Sequence, residues 1–263
     1  MGKILGIIPA HLESTRLSRK LLAPICGYPM ILWVYRRARQ ARCLDDLLVA
    51  TDSEEVFEFC RRNDVQAAMT SARHRSGSDR IFEVIDRRLM SSASDDLYVN
   101  IQGDEPMIRP EHIDSLVHPF SSGGAAGDVQ VSTLKVRICS EEARDPNNVK
   151  VVTDASGRAL YFSRAMVPYD RDQCGEVQYY KHLGLYAYAA SALSRFHGLP
   201  PSTLEVSEKL EQLRFLENGI PVQVTETPHD TIGVDTAKDL RRVEDHFRRE
   251  GILLPDQITS EGR

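Results

Sequence analysis

Three short stretches carry residue types suited to handling anions and metals. "AHLESTRLSRKLL" (10–22) follows the apolar run 4–8 and sets Ser14, Thr15, Arg16, Arg19 and Lys20 on a short polar loop. Cations this close repel one another, so the stretch is either a solvated turn or a seat for something anionic. Backbone N–H groups together with Arg and Lys can cradle a polyphosphate. "VNIQGDEPMI" (99–108) ends an apolar run at Gly103, where main chain can approach a ligand, and follows it with Asp104 and Glu105. "TIGVDTAKDL" (231–240) places Asp235 after a short apolar run and before Thr236. Carboxylates are hard-oxygen ligands suited to Mg²⁺, which keeps several waters and shares its shell with phosphates. The same residue types also cap helices and make turns, and both readings stand at this point. GxxxxGK[ST] and GxGxxG are both absent, which removes the main support for P-loop phosphotransfer and dinucleotide redox chemistry.

Positioning these clusters requires strands that end together. The first half alternates short apolar runs with amphipathic stretches: strands at 4–8, 47–50, 65–69 and 97–101, and helices at 29–42, 54–62, 78–89 and 110–117. Pro29 suits a first helical turn, and "TDSEE" (51–55) supplies N-cap chemistry for the second helix. Strand–helix alternation argues for a parallel sheet covered on both faces. In open sheets of this kind ligands bind beyond the carboxyl ends of the strands. The opening loop, Thr51-Asp52, the stretch 73–80 and "QGDE" (102–105) all fall there.

The pattern then changes. Residues 121–127 are small and Gly-rich, a loop. Strands are expected at 129–136, 149–152, 160–163, 184–188 and 222–224, with a turn at 154–157. A helix is expected over 204–218, with Val206, Leu210, Leu213 and Leu216 on one stripe and Gly219 at its end, and a charged closing helix over 236–249. The organisation that follows is a single domain over 1–250 and a C-terminal tail over 251–263.

Composition narrows the function. With 263 residues, 41% hydrophobic and 27% charged, the chain can bury a sizeable core. A formal net charge of −5 offers no global basic field for nucleic acid, so the cations of the opening loop are local. No apolar stretch reaches the roughly 18 residues of a membrane span, so no membrane association is expected. The five cysteines are scattered without a CxxC pair, which points to a reducing cytoplasm.

"IIPAHLESTRLSRKLLAPICGYPMI", "VATDSEEV", "SGSDR", "VNIQGDEPMI", "YFSRAMVP", "HLGLYAY", "EKLEQLRFLENG" and "GVDTAKDLRRV" occur in this order. Together, from residue 4 to about 243, they resemble the 3-deoxy-manno-octulosonate (Kdo) cytidylyltransferase family, the CMP-Kdo synthetases. The resemblance implies an α/β fold of GT-A-like nucleotidyltransferase type: a mostly parallel central sheet with helices on both faces and a smaller mixed β subregion. It implies the reaction of CTP with Kdo to give CMP-Kdo and pyrophosphate, with Mg²⁺, for lipopolysaccharide assembly, and a homodimer. Residues 129–188, with Tyr161, Tyr169, Tyr179 and Tyr180, are expected to form the sugar-covering and dimer-forming part.

The resemblance also implies roles. Asp104 and Asp235 would hold Mg²⁺. Arg16 and Lys20 would face the triphosphate, where growing charge on the leaving group needs neutralising. Pro9, Ala10, Ser76, Gly77 and Arg80 would bind the nucleotide. Gln102, Arg164, His182, Tyr186, Glu211 and Gln212 would line the sugar pocket, Arg164 pairing with the sugar carboxylate and His182 donating to a hydroxyl. Glu211 and Gln212 would lie beside the apolar stripe of helix 204–218. Without the resemblance, Arg80 also reads as a solvated helix charge and His182 as a structural residue. His11 stands where the family commonly has Arg, Ser18 where it has Pro, Arg19 where many members have Gly, and Arg73 where an acid is frequent. These departures bear on nucleotide affinity. Two alternatives stay open here: a cytidylyltransferase for another acidic sugar, such as an amino-modified Kdo or a sialic acid, and a degenerate nucleotide-binding paralogue.

Overall fold

The computed structural model describes residues 2–12, 17–74, 76–90, 93–121, 129–172 and 175–254. It divides into two compact units, Met1–Asp114 with Thr231–Arg263, and Ser115–Asp230.

The first unit is built on four parallel strands in the order β6-β1-β4-β5: β1 Ile4–Ala10, β4 Asp46–Thr51, β5 Ala67–Met69 and β6 Leu97–Asn100. Leu5, Ile7, Ile8, Leu47, Val49 and Val99 are fully buried, as continuous apolar runs in a parallel sheet require. A two-residue hairpin, β2 Pro24–Ile25 and β3 Tyr28–Pro29, precedes α1 Met30–Ala38. The helix expected to reach residue 42 stops at Ala38, and the chain turns through Gln40 and Ala41. Ser53 caps α2 Glu54–Arg62 by accepting from Val56 N at 3.3 Å, with acids in the first turn and arginines in the last, as the helix dipole favours. Helix α3 spans Gly77–Asp86, and α4, Pro110–Ser121, begins in this unit and continues past Asp114 into the second. Residues 122–127 of the Gly-rich loop, and the tail from 255, lie outside the described residues.

The closing helix α9, Ala237–Arg249, belongs to this unit. Phe247 packs on the Trp33 ring at 4.6 Å, and Glu244 accepts from Cys26 N at 3.1 Å, which ties α9 to α1 and the hairpin.

The second unit carries a mixed sheet: β7 Val131–Ile138, β8 Lys150–Thr153, β9 Ala159–Ser163, β10 Tyr179–Ala189 and β11 Val222–Glu226. Strand β11 runs parallel to β7, whereas β7 with β10, β10 with β8, and β8 with β9 are antiparallel. The short helices α5 Ser140–Arg144 and α6 Ala190–His197 accompany it. The single helix expected over 204–218 is instead two, α7 Thr203–Glu208 and α8 Leu213–Glu217. Lys209 adopts φ 55°, a left-handed conformation that ends α7. The break turns Val206 outward, to 52% exposure, while Leu210 and Leu213 stay buried. Arg214 grips Glu205 across it at 2.5 and 2.7 Å. Of the tyrosines expected on a surface, Tyr169 is exposed and Tyr179 is buried.

Among the described residues no helix is long and apolar enough to cross a membrane. Cys26, Cys43, Cys60 and Cys139 are free thiols.

Candidate active site

Three charged groups from distant parts of the chain meet in the first unit. Lys20 begins a short 3-10 turn, Lys20–Leu22, anchored by the buried Leu21. Its Nζ donates to Asp104 Oδ2 at 2.7 Å and to Asp235 Oδ1 at 3.2 Å. Local structure explains the convergence. Strand β6 leads into a turn at 102–105, where Glu105 N donates to the Gln102 carbonyl. Gly103 fits there because a Cβ would stand 3.1 Å from the Pro9 carbonyl and 3.2 Å from Leu21. Val234 N donates to the Asp104 carbonyl at 2.9 Å, which lays the 233–235 segment on that turn.

Thr236, not Asp235, is the cap of α9. The Thr236 hydroxyl accepts from Asp239 N, while the Asp239 carboxylate accepts from the backbone N of Thr236 and of Asp235. With capping assigned to Thr236 and Asp239, the Asp235 carboxylate faces Lys20. Burial pulls the Lys20 ammonium down, but the charge and hydrogen bond of Asp104, then those of Asp235, outweigh it, and the net shift is upward. Lys20 is therefore a full cation at neutral pH.

The expected nucleotide residues gather at the carboxyl end of β1. Pro9 is half-buried and Ala10 fully buried. A Cβ on Gly77 would lie 3.1 Å from the Pro9 ring, so α3 begins against the end of β1. Ser76 caps α3 by accepting from Asp79 N. Arg80 is 3% exposed and not a solvated helix charge. It donates to Asp52 Oδ2 at 2.8 Å, to Thr70 Oγ1 at 2.6 Å and to the Ser71 carbonyl at 3.2 Å, locking the segment before α3. Asp52 Oδ2 also lies 2.7 Å from His11 Nδ1, so the residue at the family's arginine position shares an acid with Arg80. Glu83 reinforces the segment through Ser71 N, His74 and Arg87; burial opposes its charge, but these donors hold its pKa down at about 2. Arg16 lies outside the described residues. Gln102 is half-buried and donates to Asn100 Oδ1 at 3.4 Å.

The second unit holds a different cluster. His182 and Tyr186 share β10, each 8% exposed, with rings 5.4 Å apart. The strand is bulged between Leu183 and Tyr186. The Thr133 hydroxyl serves the bulge by donating toward the carbonyls of Leu185 at 2.7 Å and Leu183 at 3.2 Å. With that proton committed, the hydroxyl accepts from His182 Nε2 at 3.0 Å. The hydrogen of His182 thus points at Thr133 rather than at a ligand, and Nδ1 is left as an acceptor. Burial, then Lys181, lower the His182 pKa to about 3. Tyr186 Oη is buried without a hydrogen-bond partner among the described residues. Burial first, then Tyr188 and Glu211, push its pKa well above the tyrosine range.

Glu211 and Gln212 lie in the link between α7 and α8, not beside a continuous stripe, and Gln212 is 7% exposed. Arg164 spends its guanidinium on main chain: it donates to the carbonyls of Glu208 at 2.8 Å, Pro146 at 3.0 Å and Lys209 at 3.5 Å. Sequence reasoning passed over Asp52 as a partner, although its strand-end position marked it. It assigned no role to Thr133, since a strand threonine carries no local signal, or to Glu208, whose carboxylate accepts from Ser163 Oγ at 2.6 Å and from Arg164 N at 2.9 Å.

The cytidylyltransferase family model matches residues 5–227. The chain is 52% identical over 246 residues to the 3-deoxy-manno-octulosonate cytidylyltransferase of Koribacter versatilis, covering 94% of this chain and 90% of that protein. It is 55% identical to the enzyme of that name from Acidobacterium capsulatum, over 92% and 95% of the two chains. The solved structure of CMP:2-keto-3-deoxy-manno-octonic acid synthetase complexed with CTP superposes with a TM-score of 0.88 at 39% identity, over 95% of this chain and 100% of that one.

Proposed function

Because this chain belongs to the 3-deoxy-manno-octulosonate cytidylyltransferase family, we propose that it transfers CMP from CTP to the anomeric hydroxyl of Kdo, giving CMP-Kdo and pyrophosphate for lipopolysaccharide biosynthesis. The observation that carries this reading is the meeting of Asp104 and Asp235 on one cationic point. Two hard carboxylates facing one point make a donor set that would suit a divalent cation such as Mg²⁺, with Asp104 and Asp235 as its protein ligands. When bound, the metal supplies Lewis acidity toward phosphate and hydroxyl oxygens.

The protein's own groups do the rest. Lys20, and Arg16 by resemblance, neutralise charge on the departing pyrophosphate. Pro9, Ala10, Ser76 and Gly77 form a close-packed strand end for the nucleotide, and Arg80 acts by holding that segment in place. His182 Nδ1 accepts from a sugar hydroxyl and Tyr186 Oη offers an uncommitted donor. Gln212 and Glu211 add amide and carboxylate partners. Arg164, to meet the sugar carboxylate, exchanges main-chain carbonyls for it. Such chemistry relies on positioning and charge rather than a covalent nucleophile.

Pyrophosphate release from CTP with a panel of acidic sugars, with and without Mg²⁺, tests the proposal. Metal-dependent release with Kdo supports it; release only with another acidic sugar reassigns the substrate, and silence across the panel overturns it.

We further propose a homodimer formed through 129–188. The exposed Leu160 and Tyr169, 61% and 80% accessible, support a face that a second copy covers. A monomer mass in light scattering at micromolar concentration defeats this. Four free thiols support a reducing cytoplasm as the compartment, which cell fractionation checks.

A further inference from the structure

Lys20 stands where a metal would bind. Its side chain is 12% exposed, while those of Asp104 and Asp235 are 33% and 45% exposed. Two carboxylates aimed at one point repel each other unless a cation lies between them, and here the ammonium is that cation. The bonds that fix the main chain on which the two carboxylates stand are independent of Lys20: Val234 N donates to the Asp104 carbonyl, and the Thr236–Asp239 cap holds the main chain at 235–236. Exchange of the cation between the carboxylates therefore leaves that main chain in place.

We propose that Lys20 is a built-in counter-ion, held between Asp104 and Asp235 until a divalent cation takes those oxygens and a polyphosphate takes the ammonium. The proposal rests on the cytidylyltransferase reading above. Lysine suits such an exchange. Its ammonium is a compact charge on a flexible stem that can trade one anion for another, whereas a bidentate arginine fork is tied to one planar partner. Metal alone must compete with Lys20 for the same oxygens, so the free protein binds metal weakly. Metal that arrives with a triphosphate meets no such competition, because the phosphates receive the displaced ammonium. Metal and nucleotide then strengthen each other's binding, and the coupling is reciprocal.

The test is Mn²⁺ binding to the full chain, read from the paramagnetic resonance of free Mn²⁺, with and without CTP and with no sugar present. In the wild-type protein Mn²⁺ binds weakly alone and more tightly with CTP. In Lys20→Met, Mn²⁺ alone binds about tenfold more tightly or better, since a unit charge beside the site is gone, and the tightening produced by CTP shrinks. Lys20→Arg keeps the charge and keeps metal-alone binding weak. Two results overturn the proposal: Lys20→Met, folded by circular dichroism, binding Mn²⁺ no more tightly than wild type, or Lys20→Arg binding it as tightly as Lys20→Met. If Lys20→Met does not fold, Lys20→Gln carries the same expectation. A wild-type protein in which CTP fails to tighten Mn²⁺ overturns the proposal without any variant. Failure of CTP to bind at all defeats the cytidylyltransferase reading, whereas CTP binding with unaltered Mn²⁺ affinity in Lys20→Met defeats the counter-ion alone.

Discussion

The polar clusters of the two units answer the same difficulty in opposite ways. In the first unit Lys20, Asp104 and Asp235 keep their charges, because opposite charges converge and the carboxylates still reach water. In the second, His182 and Tyr186 are buried, with no carboxylate among the described residues hydrogen-bonded to either, and burial favours the neutral form of both. Burying an ion is tolerated only where it is paired. The charged cluster therefore suits phosphates and metal, and the neutral one suits uncharged hydroxyls, which must be read by hydrogen bonds alone.

Asp104→Asn breaks the charged half of this contrast and gives the largest expected effect. The amide retains the shape and a carbonyl oxygen but removes the charge that meets Lys20. Turnover in the pyrophosphate assay falls by about 10³-fold, the scale of losing preorganised charge stabilisation. A fall of less than about tenfold means that charge at this position does not drive the reaction.

These two clusters were unequally legible. Helix 54–62 is legible to the residue because Ser53, Glu54 and Glu55 announce a cap locally. Helix 204–218 is not, because its apolar spacing continues across Lys209, and the left-handed turn there is set by the Glu205–Arg214 pair and the burial of Leu210. The β2–β3 hairpin is too short to show a period. At the site, the residue types of Lys20, Asp104 and Asp235 pointed to anion and metal chemistry. Their meeting depends on Val234 N reaching Asp104 and on Phe247 docking on Trp33, contacts between residues far apart in the chain. The direction of the His182 hydrogen was beyond reach, since it is dictated by a threonine on the neighbouring strand.

His182 sharpens the neutral half through acid stability. Its folded pKa is about 3, against about 6.5 in an unfolded chain. Above pH ~6.5 both states are neutral and the residue is neutral in its effect on stability. As pH falls below that value the unfolded state takes the proton first, so the protein loses up to about 1.4 kcal/mol per pH unit until the folded state also titrates near pH 3. His182→Gln removes this contribution. Urea midpoints followed from pH 7 to pH 4 decline less steeply in the variant than in wild type. Parallel declines would show that His182 is not held neutral by burial.

Tyr186→Phe carries the smallest effect and separates binding from folding. The hydroxyl is buried without a partner among the described residues, so in the free protein it is a liability: a buried unsatisfied polar group costs about 1–3 kcal/mol. Deleting it leaves the melting temperature unchanged or higher. If the hydroxyl is kept to donate to the sugar, the variant loses one neutral hydrogen bond there, about 0.5–1.5 kcal/mol, or roughly two- to twelvefold in KM for Kdo. KM for CTP stays put if the nucleotide contacts reside, as proposed, with Lys20 and the end of β1. A lower melting temperature with an unaltered sugar KM would make Tyr186 a packing residue, and the contrast between a charged and a hydroxyl-reading cluster would then rest on His182 alone.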